Sequence, residues 1–280
     1  MKRSELIQTP GICISHSRHE HPNVNEYHMH AHEDFELFYF VNGRGTYSVE
    51  GNEYRLTPNC VLLMRIGETH MMHIDPDAPY ERFVVNFTAD SILPIDPTGL
   101  FLEPYLNRPV GQQNMYVPSQ LNQSLIRSCF DTILAAADYS DAVRHTAVLS
   151  HLSVILYDVQ RAYHLRPQPL AGLPESQGLI AGVVDYINCN LTENISLDTL
   201  SARFFLSKSY LNQQFRQATG TTIWDYVLLK RLMLARTAIR RGMPVTDAFR
   251  NSGFNDYSSF YRRYKSRFGV APKDDRPRTD

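Results

Sequence analysis

The sequence predicts an α+β multidomain chain: an N-terminal β-barrel, a helical hairpin behind it, and a C-terminal all-α domain with two helix-turn-helix units. Three observations predict it. Short apolar runs alternate with turn signals across residues 35–87, as in a small barrel or sandwich. Apolar spacing then changes to a helical period over 119–164. Finally, residues 253–272 repeat the organisation of residues 196–216. A chain of 280 residues that is 43% hydrophobic can supply two cores.

The β elements read in order as 35–41, 46–49, 54–56, 60–65, 69–74 and 82–87. Asn42-Gly43-Arg44-Gly45, Glu50-Gly51-Asn52 and Pro58-Asn59 supply the turns. If residues 30–40 are continuously extended, His30, His32, Glu36, Phe38 and Phe40 share one face. With His70 this face offers three imidazoles and a carboxylate. Three readings stand: a transition-metal shell of His30, His32, Glu36 and His70, the polar lining of an organic-ligand pocket that includes Phe38, or polar groups satisfied inside a barrel. His16, His19, His21 and His28 lie near Pro10, Gly11 and Pro22 and read as a solvated or lid segment.

Two helical stripes follow: Leu121, Leu125, Ile126, Cys129, Ile133 and Leu134, then His145, Val148, Leu149, Leu152, Ile155, Leu156 and Val159. Tyr139-Ser140-Asp141 separates them, so the expectation is an antiparallel pair. A Pro-rich stretch over 165–174 reads as a linker. The expected divisions are 1–118 for arm and barrel, 119–165 for the helical pair, 166–177 for the linker and 178–280 for the last domain.

In that last domain Ser196 is a good N-cap, with Asp198 in the first turn. The helix breaks near Phe205-Leu206, and Ser207 caps the next one. Leu211 and Phe215, four apart, are expected to be buried, with Ser209, Asn212, Gln213 and Arg216 facing out. Gly220 stops this helix. Thr222-Ile-Trp-Asp225 opens a connector with a capping box, about 20 residues or about 30 Å long, close to the ~34 Å return of the major groove. Past Gly253-Phe254, a short helix buries Phe260 and Tyr264 and carries Arg262, Arg263, Lys265 and Arg267 on its outer edge. It ends at Gly269. Asn and Gln read adenine, and Arg reads guanine, through paired hydrogen bonds.

Charge supports that division. Residues 178–280 hold 16 Lys/Arg against 9 Asp/Glu, and residues 1–177 hold 12 against 20, although the formal net charge is only −1. A basic half has the footprint of nucleic-acid binding, and the helix-in-groove reading above makes double-stranded DNA the expected partner. Four scattered cysteines without a CxxC pair argue for free thiols in a reducing compartment. Met1-Lys2-Arg3 is followed by no apolar run, and no segment approaches 18 uninterrupted apolar residues, so neither a signal peptide nor a membrane span is expected. A cytoplasmic location follows as the expectation.

Residues 180–273 resemble the AraC/XylS transcription regulators. The resemblance rests on Ile195-x-Leu197-x-x-Leu200, Leu206-Ser207-x-Ser209-Tyr210-Leu211, Phe215-Arg216-x-x-Thr219-Gly220, Tyr226-x4-Arg231-Leu232-x-x-Ala235, Gly253-Phe254, Tyr257-Ser258-x-Phe260, Tyr264-Lys265, Gly269 and Pro272. It departs at Phe205, where the family has a small or polar turn residue, and at Ser201, Ala248-Phe249, Tyr264 and Asp275. His30-x-His32-x3-Glu36-x6-Gly43 is similar to the first cupin motif. The stretch 62–70 partly matches the second, with Arg65 where proline is usual. Many AraC-like regulators carry such a cupin as their sensor.

The resemblance implies a transcription regulator, not an enzyme, that responds to a small-molecule effector such as a carbohydrate. An activator is the expectation, with the sign of regulation left open by the sequence; no cofactor is expected, and the resemblance implies a homodimer formed by the helical pair. The implied DNA-binding residues are Ser209, Asn212, Gln213 and Arg216 in the first unit and Tyr257, Ser258, Ser259, Arg262, Arg263 and Lys265 in the second. Two other classes stay open. One is a metal-dependent cupin enzyme fused to a DNA-binding module. The other is a DNA-binding protein with a purely structural cupin.

Overall fold

The computed structural model describes residues 2–23, 29–166 and 178–276. His28 and most of the expected linker lie outside the described residues. The chain divides into two compact units, one holding nearly all of the strand residues and the first four helices, the other the remaining helices together with residues 29–33 and 50–52.

The first unit runs through β1 (Lys2–Thr9), β2 (Ile12–His19), β3 (Phe35–Asn42), β4 (Gly45–Val49), β5 (Asn52–Arg55), β6 (Cys60–Met64), β7 (His70–Ile74) and β8 (Tyr80–Phe87). Then come the short helices α1 (Ala89–Ile92) and α2 (Glu103–Leu106), strand β9 (Met115–Tyr116), α3 (Gln123–Ala135) and α4 (Asp141–His164). One sheet has the order β1-β2-β8-β3-β6-β9 and a smaller one β5-β4-β7. Alternation along β3 sends side chains two ways. Phe38 and Phe40 join Tyr47, Val49, Leu62, Met72 and Ile74 in a core between the two sheets. Leu37 and Tyr39 face the other way, with Val61, Leu63, Phe83 and Val85, onto α3 and α4.

Both expected helices are present. Asn122 caps α3 through its side chain. Ile126, Cys129, Phe130 and Ile133 of α3 and Val148, Leu152, Ile155, Leu156 and Val159 of α4 are buried against the large sheet. Each such aliphatic side chain contributes about 1.5–3 kcal/mol on burial.

The N-terminal segment departs from its sequence expectation. It is not a solvated arm: β1 and β2 form an antiparallel hairpin, and β2 pairs with β8 from Ile12↔Phe87 to His19↔Tyr80. His16 and His19 are buried. The His16 ring stacks on Phe83 at 4.2 Å, and its Nε2 lies 3.1 Å from Glu81 Oε1. A further buried polar network was not read from the sequence: Arg108 donates to both Glu68 oxygens at 2.7 Å and to the Leu63 carbonyl at 3.0 Å. All four thiols are free.

The second unit contains α5 (Leu179–Cys189), α6 (Leu197–Phe204), α7 (Lys208–Thr219), α8 (Ile223–Arg240), α9 (Val245–Asn251) and α10 (Tyr257–Phe268). Its core is double. Ile223, Tyr226 and Val227 from the start of α8 pack with Leu200, Leu211 and Phe215. Leu228, Leu232, Ala235 and Ile239 from the rest of α8 pack with Ala248, Phe254, Phe260 and Tyr264. One helix of 18 residues, about 27 Å long, therefore serves both helix-turn-helix units. Among the described residues, no helix is long and apolar enough to cross a membrane.

Candidate DNA-reading surface and ligand pocket

The helices α7 and α10 are built alike. The Ser207 side chain accepts from the Tyr210 N–H and caps α7. Asp256 does the same for α10, accepting from the N–H groups of Ser258 and Ser259. Gly220 and Gly269, both left-handed, end them. Leu211 and Phe215 seat α7, and Phe260 and Tyr264 seat α10, all fully buried.

The outward residues match at a constant offset of 49: Ser209 with Ser258, Gln213 with Arg262, Arg216 with Lys265. All six are exposed. Their i, i+4, i+7 spacing makes one stripe on each helix, opposite the buried face. Such a stripe of hydroxyl, amide and guanidinium groups can donate to base edges and phosphates in a major groove.

Other candidates hold different positions. Tyr257 is half-exposed and sets its ring edge-on against Phe249 at 5.4 Å. Arg263 is exposed and donates from Nε to Ser259 Oγ at 3.3 Å, which leaves Ser259 half-buried. Arg262 Nε donates to the Ser258 carbonyl at 3.4 Å. Asn212, expected to face out with Gln213, is half-buried, and its Oδ1 accepts from the Ile223 N–H at 3.1 Å. It follows Leu211 directly, about 100° further round the helix, so it borders the core and holds the start of α8.

Backbone geometry fixes the second unit. Gly253 sits at φ +79, and a Cβ there would meet Arg231 Nε and Thr192 Cα at 2.9 Å. Arg231 is buried and donates to the carbonyls of Leu191 and Glu193 at 2.8 and 2.7 Å. Asp275 accepts from Arg236 Nε at 2.7 Å, Tyr264 Oη at 2.8 Å and Arg240 Nε at 3.1 Å. Burial opposes its charge, but these three donors outweigh it and hold the carboxyl below the usual carboxylate range.

The polar cluster of the first unit centres on Glu36, which is 4% exposed. Tyr47 Oη donates to Glu36 Oε1 at 3.1 Å, and Asn86 Nδ2 donates to Oε2 at 3.2 Å. His70 Nε2 lies 3.7 Å from Glu36 Oε2. Its Nδ1 is 2.9 Å from the Glu68 carbonyl. A carbonyl only accepts, so Nδ1 carries a proton and Nε2 faces the carboxylate. Burial, then the Glu36 charge, push the Tyr47 hydroxyl well above its ordinary pKa.

The extended run expected over 30–40 is broken. Residues 33 and 34 bend, and β3 begins at Phe35. Of the four expected residues, Glu36 and His70 lie in the first unit, and His30 and His32, their rings 6.0 Å apart, lie in the segment 29–33 that groups with the second. Phe38 is fully buried and packs its ring 4.7 Å from Tyr47. Tyr47 and Asn86 were not singled out in the sequence. Their inward positions on β4 and β8 were legible from strand alternation, but the shared partner Glu36 was not.

Residues 11–152, just over half the chain, match the model of the AraC-like ligand binding domain, and residues 200–278 match that of a helix-turn-helix domain. The chain is 28% identical over 246 residues to the HTH-type transcriptional activator RhaS of Yersinia pestis (strain Pestoides F), covering 88% of this chain and 87% of the relative. Among solved structures, ToxT from Vibrio cholerae O395 is 12% identical, with a TM-score of 0.37 over 95% of this chain and 97% of its own. The AraC-like transcriptional activator CuxR is also 12% identical, with a TM-score of 0.39 over 89% of this chain and 84% of its own. With a sensor-domain match and a helix-turn-helix match in one chain, the protein belongs to the AraC family of transcription regulators and is not an enzyme.

Proposed function

We propose that this regulator reads a promoter with α7 and α10 together and that occupancy of the Glu36 cluster controls it. The observation that carries the DNA reading is the stripe repeated at the same positions of both helices: Ser209, Gln213 and Arg216, then Ser258, Arg262 and Lys265. Arg263 and Tyr257 flank the second stripe, and Ser259 contributes through Arg263. Asn212 works indirectly, by holding α8. A homodimer through α3 and α4 follows from the family resemblance, as does a cytoplasmic location.

The effector is a small polar molecule, and the family resemblance makes a carbohydrate the first class to try. Glu36, Tyr47, Asn86 and His70 offer both acceptors and donors to sugar hydroxyls, with Phe38 and Tyr47 as apolar backing. A divalent transition metal is the second reading, favoured by the direction of His70 Nε2 towards Glu36. Imidazole and carboxylate donors suit such an ion, and the Nδ1 contact to a carbonyl is the usual way such a ligand is oriented.

The test uses the full chain. Its melting temperature is measured against a carbohydrate panel and against zinc with and without chelator. An effector at 100 times its Kd adds about 2.7 kcal/mol, so a sugar that raises the melting temperature of wild type but not of Glu36→Gln supports the sensor reading. A shift with zinc alone, and metal retained through dialysis, supports the second. No shift with either class contradicts both.

A further inference from the structure

Phe205 is 92% exposed and caps α6 at φ 54, ψ 38. The left-handed region crowds a Cβ against the following carbonyl and favours Gly or Asn. An exposed ring gains little from burial in return. The turn that carries it is nevertheless firmly held. The Phe205 N–H bonds to the Ser201 carbonyl, as does the Leu206 N–H at 3.2 Å. Ser201 Oγ donates in turn to the Leu206 carbonyl. Where the second unit leaves its first helix through a left-handed residue, it uses Gly253.

Backbone strain at an exposed aromatic is an outlier that points towards function. Position says which function. Phe205 lies two residues before Ser207, the cap of α7. A helix-turn-helix presents the N-terminal residues of its second helix to base edges, so this turn lies at the DNA-facing end, with the exposed Lys208 and Ser209. In a major groove the apolar group that a phenyl ring meets is the thymine C5-methyl. We infer that Phe205 is a specificity residue whose ring packs on a thymine methyl at the edge of the site read by α7. This rests on α7 entering the major groove, as proposed above.

The test begins with a duplex selected from a random library by the full-length protein. Wild type, Phe205→Asn, Phe205→Gly and Gln213→Ala are then compared on it. Both Phe205 variants are expected to melt at or above wild type, since strain is relieved and no buried contact is lost. They should bind the selected duplex about tenfold more weakly, with random DNA bound as before. Deoxyuridine is then put in place of each thymine, which deletes only the methyl. One replacement should weaken wild type about fourfold, the worth of one buried methyl group, and leave Phe205→Asn unaffected. Full affinity in both Phe205 variants beside a loss in Gln213→Ala overturns the inference and spares α7 as a reading helix. If promoter activation falls in those full-affinity variants, the ring serves a protein partner instead. Weaker binding coupled to no thymine refutes methyl contact. Unchanged binding by Gln213→Ala removes the premise, and the inference with it.

Discussion

In the second helix-turn-helix unit the chain leaves α9 through Gly253, which is wedged against Arg231, Thr192 and Leu191. In the first it leaves α6 through Phe205, whose ring is 92% exposed. Both residues lie in the left-handed region, and the recognition helices that follow share caps, buried pairs and outward stripes. What differs is the constraint on the turn. The second turn admits no side chain because neighbouring backbone fills the space. The first admits a large one, and no packing among the described residues requires it. Equal helices thus carry unequal freedom in their turns, and substitutions should tell the units apart.

The largest difference is expected at those turns. Gly253→Ala adds left-handed strain and two contacts at 2.9 Å, one to backbone, and should cost about 3 kcal/mol or more, read by thermal unfolding. Phe205→Gly should cost nothing measurable in the same assay. A mild Gly253→Ala would mean that the second turn is as open as the first.

Base reading should differ next. Arg262→Ala should lose about 2 kcal/mol of discrimination on a selected operator and Gln213→Ala about 1 kcal/mol, because a guanidinium fork makes charge-assisted bonds to guanine. Equal losses on operator and random DNA would make Arg262 a phosphate contact. Its place at the same register as Gln213 would then carry no sequence information.

Acid sharpens the comparison through Asp275, which ties α8 to α10 in the second unit. Its folded pKa is depressed, so its stabilisation is present above the unfolded value of about 3.9 and is lost as pH falls through the folded one. Asp275→Asn should lower stability at pH 7 by about 1.5 kcal/mol, and the gap from wild type should close towards pH 3. A gap that stays constant with pH contradicts the ion-pair account. The smallest difference concerns salt. Arg216→Ala in the first unit and Lys265→Ala in the second should each lessen the slope of log K against log salt by about 0.9, and unequal changes would show one helix held off the backbone.

How much of this was legible depends on how local its cause is. Ser196, Ser207, Gly220 and Gly269 act on their own turns, and all four cap or stop the helices the sequence assigns to them. The apolar stripes of α3 and α4 depend only on periodicity and were equally plain. The β1–β2 hairpin was not legible. His16 and His19 look like surface residues until β8, some 65 positions later, supplies Glu81 and Phe83. The Glu36 cluster was half legible: the residue types and strand face were there, but the bend at 33–34 and the partners Tyr47 and Asn86 come from other strands. Asn212 lies half-buried where it was expected to face out, because one residue of rotation separates an outward position from a core border. Phe205 stood out only as a departure from pattern, and its strain needed coordinates.

The central claim is that α7 and α10 read DNA at once, from opposite halves of the α8 rod. The most direct measurement is a base-pair substitution scan of a selected operator, run with wild type, Gln213→Ala and Arg262→Ala. Two clusters of sensitive base pairs are predicted, centred about one helical turn apart, 10–10.5 bp. Each variant should flatten one cluster and spare the other. A single cluster flattened by both variants, or one variant without effect at any position, would contradict the claim.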